Sequence, residues 1–153
     1  MTTYTMNQYH QNQYQQNQVG TASPEQILLM LYDGAIRFTR RAISGIEEEK
    51  PELKISGVAK AMAIIAEFSN SLNHDIGGQI AEDLDALYNF MMRELTSANL
   101  NNDVQKLRNV ETLLVDLRQT WGEAVLINKK AMYAAAAPVN PSADEYVPFS
   151  VSR

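Results

Sequence analysis

The sequence predicts an all-α protein, an antiparallel four-helix bundle, and three observations lead there. Four amphipathic stretches of about twenty residues follow one another along the chain. Capping and stop signals separate them by short connections. Nothing alternates with period two for long enough to build a sheet. The expected boundaries are an arm over 1–20, the bundle over 21–133 and a tail over 134–153. A short extra N-terminal helix or arm and an extended last helix are compatible with the pattern.

The arm carries no charge. Tyr4-Thr5-Met6-Asn7-Gln8, Tyr9-His10-Gln11-Asn12-Gln13 and Tyr14-Gln15-Gln16-Asn17-Gln18 all read Y-x-x-N-Q. So few apolar groups cannot offset the ~1–2 kcal/mol per residue that ordering a backbone costs. The arm is therefore either a solvated tail or a segment whose tyrosines dock into an apolar groove of the folded part. A period of five fits neither helix nor strand.

Helix one starts sharply. Ser23-Pro24-Glu25-Gln26 supplies a hydroxyl N-cap, a proline at the first helical position and a Gln to close a capping box. Ile27, Leu31, Ala35, Phe38, Ala42 and Ile46 then recur on one face. Glu47, Glu48 and Glu49 are disfavoured at a helix C-terminus by the dipole, and with Pro51 they mark the end. The second stripe runs through Val58, Met62, Ile65, Ser69 and Leu72, with Ile55, Ile64 and Phe68 beside it. Gly77-Gly78 is expected to end that segment, with His74 as a polar residue near its C-terminus. The third stripe passes through Ile80, Leu84, Leu87, Met91, Leu95 and Ala98. Asn102-Asp103-Val104-Gln105 reads as another capping-box-like start. It opens a fourth stripe through Leu107, Val110, Leu114, Leu117, Trp121 and Ala124. Past Tyr133 the chain turns Ala-rich and then Pro-rich, the mark of a frayed end.

Composition excludes several functions. The chain has 153 residues, a net charge of −5 and no cysteine, which removes disulfides, thiol catalysis and Cys-based metal sites. Its longest apolar run, Ala131 to Ala137, falls far short of a membrane span, so no membrane insertion is expected. No charge precedes Glu25 and no basic residue precedes Arg37, unlike a secretory or mitochondrial leader. A cytosolic protein is expected. Scattered Lys and Arg in an acidic chain argue against nucleic acid. A di-iron bundle needs Glu-x-x-His on two helices, but Asn7 precedes His10 and Ser71 precedes His74. No catalytic, cofactor-binding or metal-ligating residue is therefore assigned.

Surplus apolar surface remains. A bundle helix needs about three apolar positions in seven. Helix one has Ile27, Leu28, Met30, Leu31 and Tyr32 in six; helix three has Leu87, Tyr88, Phe90, Met91 and Met92 in six. Helix four adds Leu113 and Val115. Either the core stripe is wide, or part of this surface forms a groove for an apolar partner helix.

Several motifs in order carry a family resemblance. They are Thr21-Ala22-Ser23-Pro24-Glu25-Gln26, Leu31-Tyr32-Asp33-Gly34-Ala35-Ile36 and Leu84-Asp85-Ala86-Leu87-Tyr88. Met91, Arg93 and Leu95 follow, then Ala98-Asn99-Leu100, Asn102-Asp103-Val104 and the stretch Val110 to Trp121. Over about residues 14 to 124 the sequence resembles the bacterial flagellin export chaperones of the FliS family. Asp83 and Phe90 depart from it, standing where the family often has Asn and Tyr. The resemblance implies a bundle that binds the disordered C-terminal segment of flagellin, prevents its premature polymerisation and delivers it to the export gate protein FlhA, with no cofactor. Met30, Ile64, Phe68, Leu87, Tyr88, Met91, Leu113 and Leu117 are the candidate flagellin-binding residues. Tyr14 and Val19 are the candidates for arm docking and gate recognition. Without client, the free protein is either a monomer or a homodimer through the same surface. The competing expectations are an adaptor for another secretion substrate or flagellar regulator, and, more remotely, an enzyme with a site in the bundle core.

Overall fold

The computed structural model describes the backbone of residues 22–136 and the side chains of residues 22–127. The expected arm, with Tyr14 and Val19, lies outside the described residues, as does the expected tail from residue 137. Four helices make up the described chain: α1 (Pro24–Glu47), α2 (Pro51–Asn70), α3 (His74–Asn101) and α4 (Val104–Ala136). Among the described residues there is no strand. The extended last helix is present, running three residues past the expected boundary at Tyr133.

The first helix begins where its capping box places it. Gln26 N–H donates to Ser23 Oγ at 3.2 Å, and Ser23 N–H donates to Gln26 Oε1 at 3.1 Å. The start of α4 differs from the expected box. Asn102 closes α3 in a left-handed C-cap at φ 50°, and Asp103 is the residue that caps α4, accepting from Gln105 N–H at 3.1 Å. Gln105 reaches Asn109 instead of returning to the cap.

The α2–α3 junction also differs. The second helix stops at Asn70, and Asn73 starts α3 by accepting from Asp75 N–H and Ile76 N–H, both at 3.1 Å. His74 is thus the first residue of α3, not a C-terminal residue of α2. The glycines lie inside α3, which kinks where Gly78 takes φ 51° and ψ −124°. Such a backbone suits glycine because it lacks Cβ.

Met30–Trp121 forms one compact unit; the described pieces on either side, 22–29 and 122–136, belong to another. Cross-helix contacts show that neighbouring helices in the 30–121 unit run antiparallel. Gly57 of α2 lies against the backbone of Phe38 and Ala42 in α1. Ser69 pairs with Asp85 and Met62 with Thr96 between α2 and α3. Glu94 meets Lys106 and Asn109 between α3 and α4, and Asp33 and Arg40 meet Arg118 and Glu111 between α1 and α4.

The core is apolar and carries a buried aromatic group. Ala35, Ala42, Ile65, Met91, Leu95, Leu107, Val110 and Leu114 are fully or almost fully buried. Beside them Tyr32 stacks on Phe68 at 4.3 Å between ring centroids, and Phe68 lies 5.5 Å from Tyr88. The Tyr32 and Tyr88 hydroxyls hydrogen-bond to each other at 2.7 Å, so the cluster carries its polar ends inward without stranding them. Burial raises the pKa of Tyr32, partly opposed by the Tyr88 hydroxyl and the Trp121 indole. Burial also raises that of Tyr88, reinforced by Tyr32.

These positions correct the expected stripes. In α3 the inward residues are Ala81 and Tyr88, one position on from Ile80 and Leu87, before the stripe rejoins at Met91, Leu95 and Ala98. In α1, Tyr32, Ile36, Thr39 and Ile43 are buried while Ile27 is exposed. Thr39 is tolerated inside because its hydroxyl donates to Ala35 O at 2.8 Å.

Candidate functional site

The four seams of the 30–121 unit are not alike. The α1–α4 seam is bridged by three cross-helix ion pairs: Asp33–Arg118 (2.9 Å), Arg40–Glu111 and Glu47–Arg108. Each is partly exposed and individually contributes little, yet together they place polar groups along the whole seam. The α2–α3 seam is crossed by Ser69–Asp85 at one end and by Lys54 at the other, which donates to Asn99 O (2.9 Å) and Asn102 Oδ1 (2.7 Å). The α1–α2 seam is closed by backbone contact at Gly57.

The α3–α4 seam is polar only at one end, where Glu94 meets Lys106 (3.6 Å) and Asn109 (3.4 Å). One turn along both helices, the antiparallel register sets Phe90 level with Leu113; a turn further it sets Leu87 level with Leu117. Phe90 is 37% exposed, and Leu87, Leu113 and Leu117 are half-buried. The result is a strip of four large apolar side chains with no ion pair crossing it among the described residues. Burying such side chains against a partner contributes about 1.5–3 kcal/mol each when complete.

The structure separates the sequence-predicted residues into three places. Leu87, Leu113 and Leu117 come together on this strip. Met30, 47% exposed, and half-buried Ile64 lie toward the α1–α2 seam, where Ile64 packs on Gly34. Phe68, Tyr88 and Met91 are core residues, at 3%, 3% and 0% exposure, and offer no surface to a partner. They are inside because the aromatic cluster satisfies its hydroxyls internally and the α3 stripe turns that way. Phe90 shares the strip without being among the sequence candidates. Its signal was its place three residues after Leu87, off the line of Met91 and Leu95.

Among the described residues the fold is a helical bundle with a buried aromatic core and an apolar strip on its α3–α4 seam. Among the described residues no group of His, Asp and Glu is arranged to hold a metal, and no helix is long and apolar enough to cross a membrane. Comparison with known proteins gives the class its family. The family model described as Flagellar protein FliS matches residues 5–128. The flagellar secretion chaperone FliS of Bacillus subtilis is 38% identical over 112 residues, covering 73% of this chain and 83% of that protein. That of Salmonella typhimurium is 37% identical over 116 residues, covering 75% and 84%. That of Escherichia coli is 33% identical over 109 residues, covering 71% and 80%. The chain belongs to the FliS family of flagellar secretion chaperones, which are not enzymes.

Proposed function

We propose that this chaperone acts on flagellin in the cytosol. It covers the C-terminal segment of the newly made subunit, which is disordered before polymerisation, and delivers the complex to the export gate protein FlhA. The observation that carries this reading is the partly exposed α3–α4 strip of Leu87, Phe90, Leu113 and Leu117 beside an α1–α4 seam filled by ion pairs. An amphipathic client laid on that strip hides the apolar face through which it would self-assemble. The client orders as it binds, and that cost limits affinity, so the complex stays releasable. Met30 and Ile64, apart from the strip and toward the α1–α2 seam, offer the client a second apolar contact, and the arm, through Tyr14 and Val19, contributes to gate recognition.

Co-expression with flagellin tests this. Full-length flagellin should co-purify with the chaperone, and flagellin lacking its C-terminal segment should not. Phe90→Glu/Leu113→Glu should lose the client while keeping the helical circular dichroism of the wild type, since both positions lie outside the core. Equal retention of the truncated flagellin, or of intact flagellin by the double variant, would contradict the proposal. Capture of another secretion substrate in place of flagellin would support an adaptor role instead.

A further inference from the structure

A cationic cluster on α1 and α2 departs from the charge pattern of the rest of the bundle. Arg37, Arg41 and Lys60 surround the Phe38 ring, their charged groups 5.3, 5.1 and 5.4 Å from its centroid. None of these cations has an ion-pair partner among the described residues, whereas Arg40, Arg108 and Arg118 do. The chain holds 18 Asp and Glu against 13 Lys and Arg, so a shortage of acids is not the cause. One helical turn from Arg41, and one turn from Lys60, no acid stands on either side. The acid one turn before Arg37 is Asp33, and Arg118 engages it.

Three like charges around one ring raise each other's energy, and the quadrupole of the ring offsets only part of that. An anionic group laid over them would offset more. The cluster is open to one. Arg37 and Lys60 are exposed, Arg41 and Phe38 are half-buried, and Ala63, one turn beyond Lys60, is too small to cover it. The receptor so formed has two planar guanidinium forks, each able to take a carboxylate through two parallel N–H donors, with an ammonium beside them. Its size selects the class of anion. A nucleic acid asks for a long basic track, and a net charge of −5 repels a polyanion. An anionic bilayer recruits clusters of about four to eight cations. Three cations around a single ring match a short run of carboxylates.

We propose that the cluster around Phe38 docks an acidic segment of a partner protein other than the client. Carboxylates of that segment sit on the Arg37 and Arg41 guanidinium groups and on the Lys60 ammonium, supplying the charge that the chain itself does not bring there. The contact rests on exposed charge pairs and is accordingly weak and salt-sensitive. It lies on α1 and α2, whereas the apolar strip lies on α3 and α4. The chaperone therefore takes the acidic partner whether or not the strip is occupied, and the proposal does not depend on what the client is.

Fluorescence anisotropy of a labelled Glu/Ala-rich peptide with the full-length protein tests the proposal, against the same peptide with Gln in place of Glu. The acidic peptide should bind at low ionic strength and weaken about tenfold or more in high salt, and the Gln peptide should not bind. Arg37→Gln/Lys60→Gln, at two exposed positions, should lower the affinity about tenfold or more with circular dichroism unchanged. Ala63→Glu should weaken binding in the same way by supplying a carboxylate to Lys60 from within the chain. It keeps the test open if the double variant misfolds. Arg108→Gln, whose side chain is committed to Glu47, should bind the peptide as the wild type does. Flagellin should co-purify with the double variant as with the wild type. A wild type that ignores the acidic peptide at low salt would overturn the proposal, and so would equal binding of the Gln peptide or wild-type affinity in the double variant and Ala63→Glu. The same holds if Arg108→Gln loses as much affinity as the double variant. Tighter binding of a single-stranded oligonucleotide or of phosphatidylglycerol vesicles would give the cluster to another class of partner and overturn it too. Loss of flagellin by the folded double variant would assign the cluster to the client instead.

Discussion

The Tyr32–Tyr88 hydrogen bond sits where a polar error would be expensive. Both rings are almost fully buried, and each hydroxyl has the other as a partner at 2.7 Å. Removing one leaves the other deprived, so Tyr88→Phe should cost about 1–2 kcal/mol in denaturant unfolding. Removing both replaces the pair by two apolar rings, and Tyr32→Phe/Tyr88→Phe should recover part of that loss. A double variant destabilised by the sum of the singles would show that the hydroxyls act separately. The same pair sets an alkaline limit. Burial raises both folded-state pKa values above the ordinary value of 10.0, so the native state holds its phenolic protons longer than the unfolded chain. The stabilising contribution is complete below about pH 10 and is lost as pH rises through the raised folded-state values. Denaturant midpoints should therefore fall above about pH 10, and replacing both tyrosines by Phe should flatten that fall. The apolar run of five in six on α3 gives two competing stripes at the same spacing, so Tyr88 is expected at the client surface and Met91 both there and on the core stripe. Only the hydroxyl partner across the bundle decides which one turns inward.

Among the elements, α1 and α2 approach so closely that a methyl group does not fit between them. A Cβ on Gly57 would lie 2.5 Å from Phe38 O and 2.7 Å from Ala42 N, both main-chain atoms. Gly57→Ala should thus destabilise the bundle by about 1–3 kcal/mol despite the better helix propensity of Ala, measured by thermal or denaturant unfolding. An unchanged or raised stability would mean that the helices separate freely. The helix count, the Ser23 cap and the end of α1 at Glu47 were legible because each has a strong local cause in side-chain chemistry. The α2–α3 junction was not. Gly77-Gly78 is the loudest stop signal in that stretch, yet the working cap is Asn73, which lacks a Gln or Glu three residues on to announce it. The glycines instead bend α3 at Gly78, and beyond the bend Ala81 and Tyr88 are buried in place of Ile80 and Leu87. Of the eight candidate client residues, Tyr88 is buried by that register, while Phe68 of α2 and Met91, already on the core stripe, are buried beside it. Leu87, Leu113 and Leu117 stay half-buried on the α3–α4 seam.

At the scale of the molecule, charge and apolar surface are segregated by seam. Ion pairs fill the α1–α4 seam, cations with no ion pair among the described residues gather around Phe38, and the α3–α4 strip is apolar. A client held on that strip is held by apolar burial, which carries a negative heat-capacity change and responds little to salt. Titration calorimetry of the full-length chaperone with a peptide from the C-terminal segment of its flagellin, at several temperatures and two salt concentrations, tests this central claim most directly. Binding should be one-to-one without a cofactor, with a negative heat-capacity change, similar affinity at both salts, and a gain of helical circular dichroism on mixing. No heat and no spectral change with a folded chaperone and a dissolved peptide would contradict it, as would a tenfold loss of affinity between low and physiological salt.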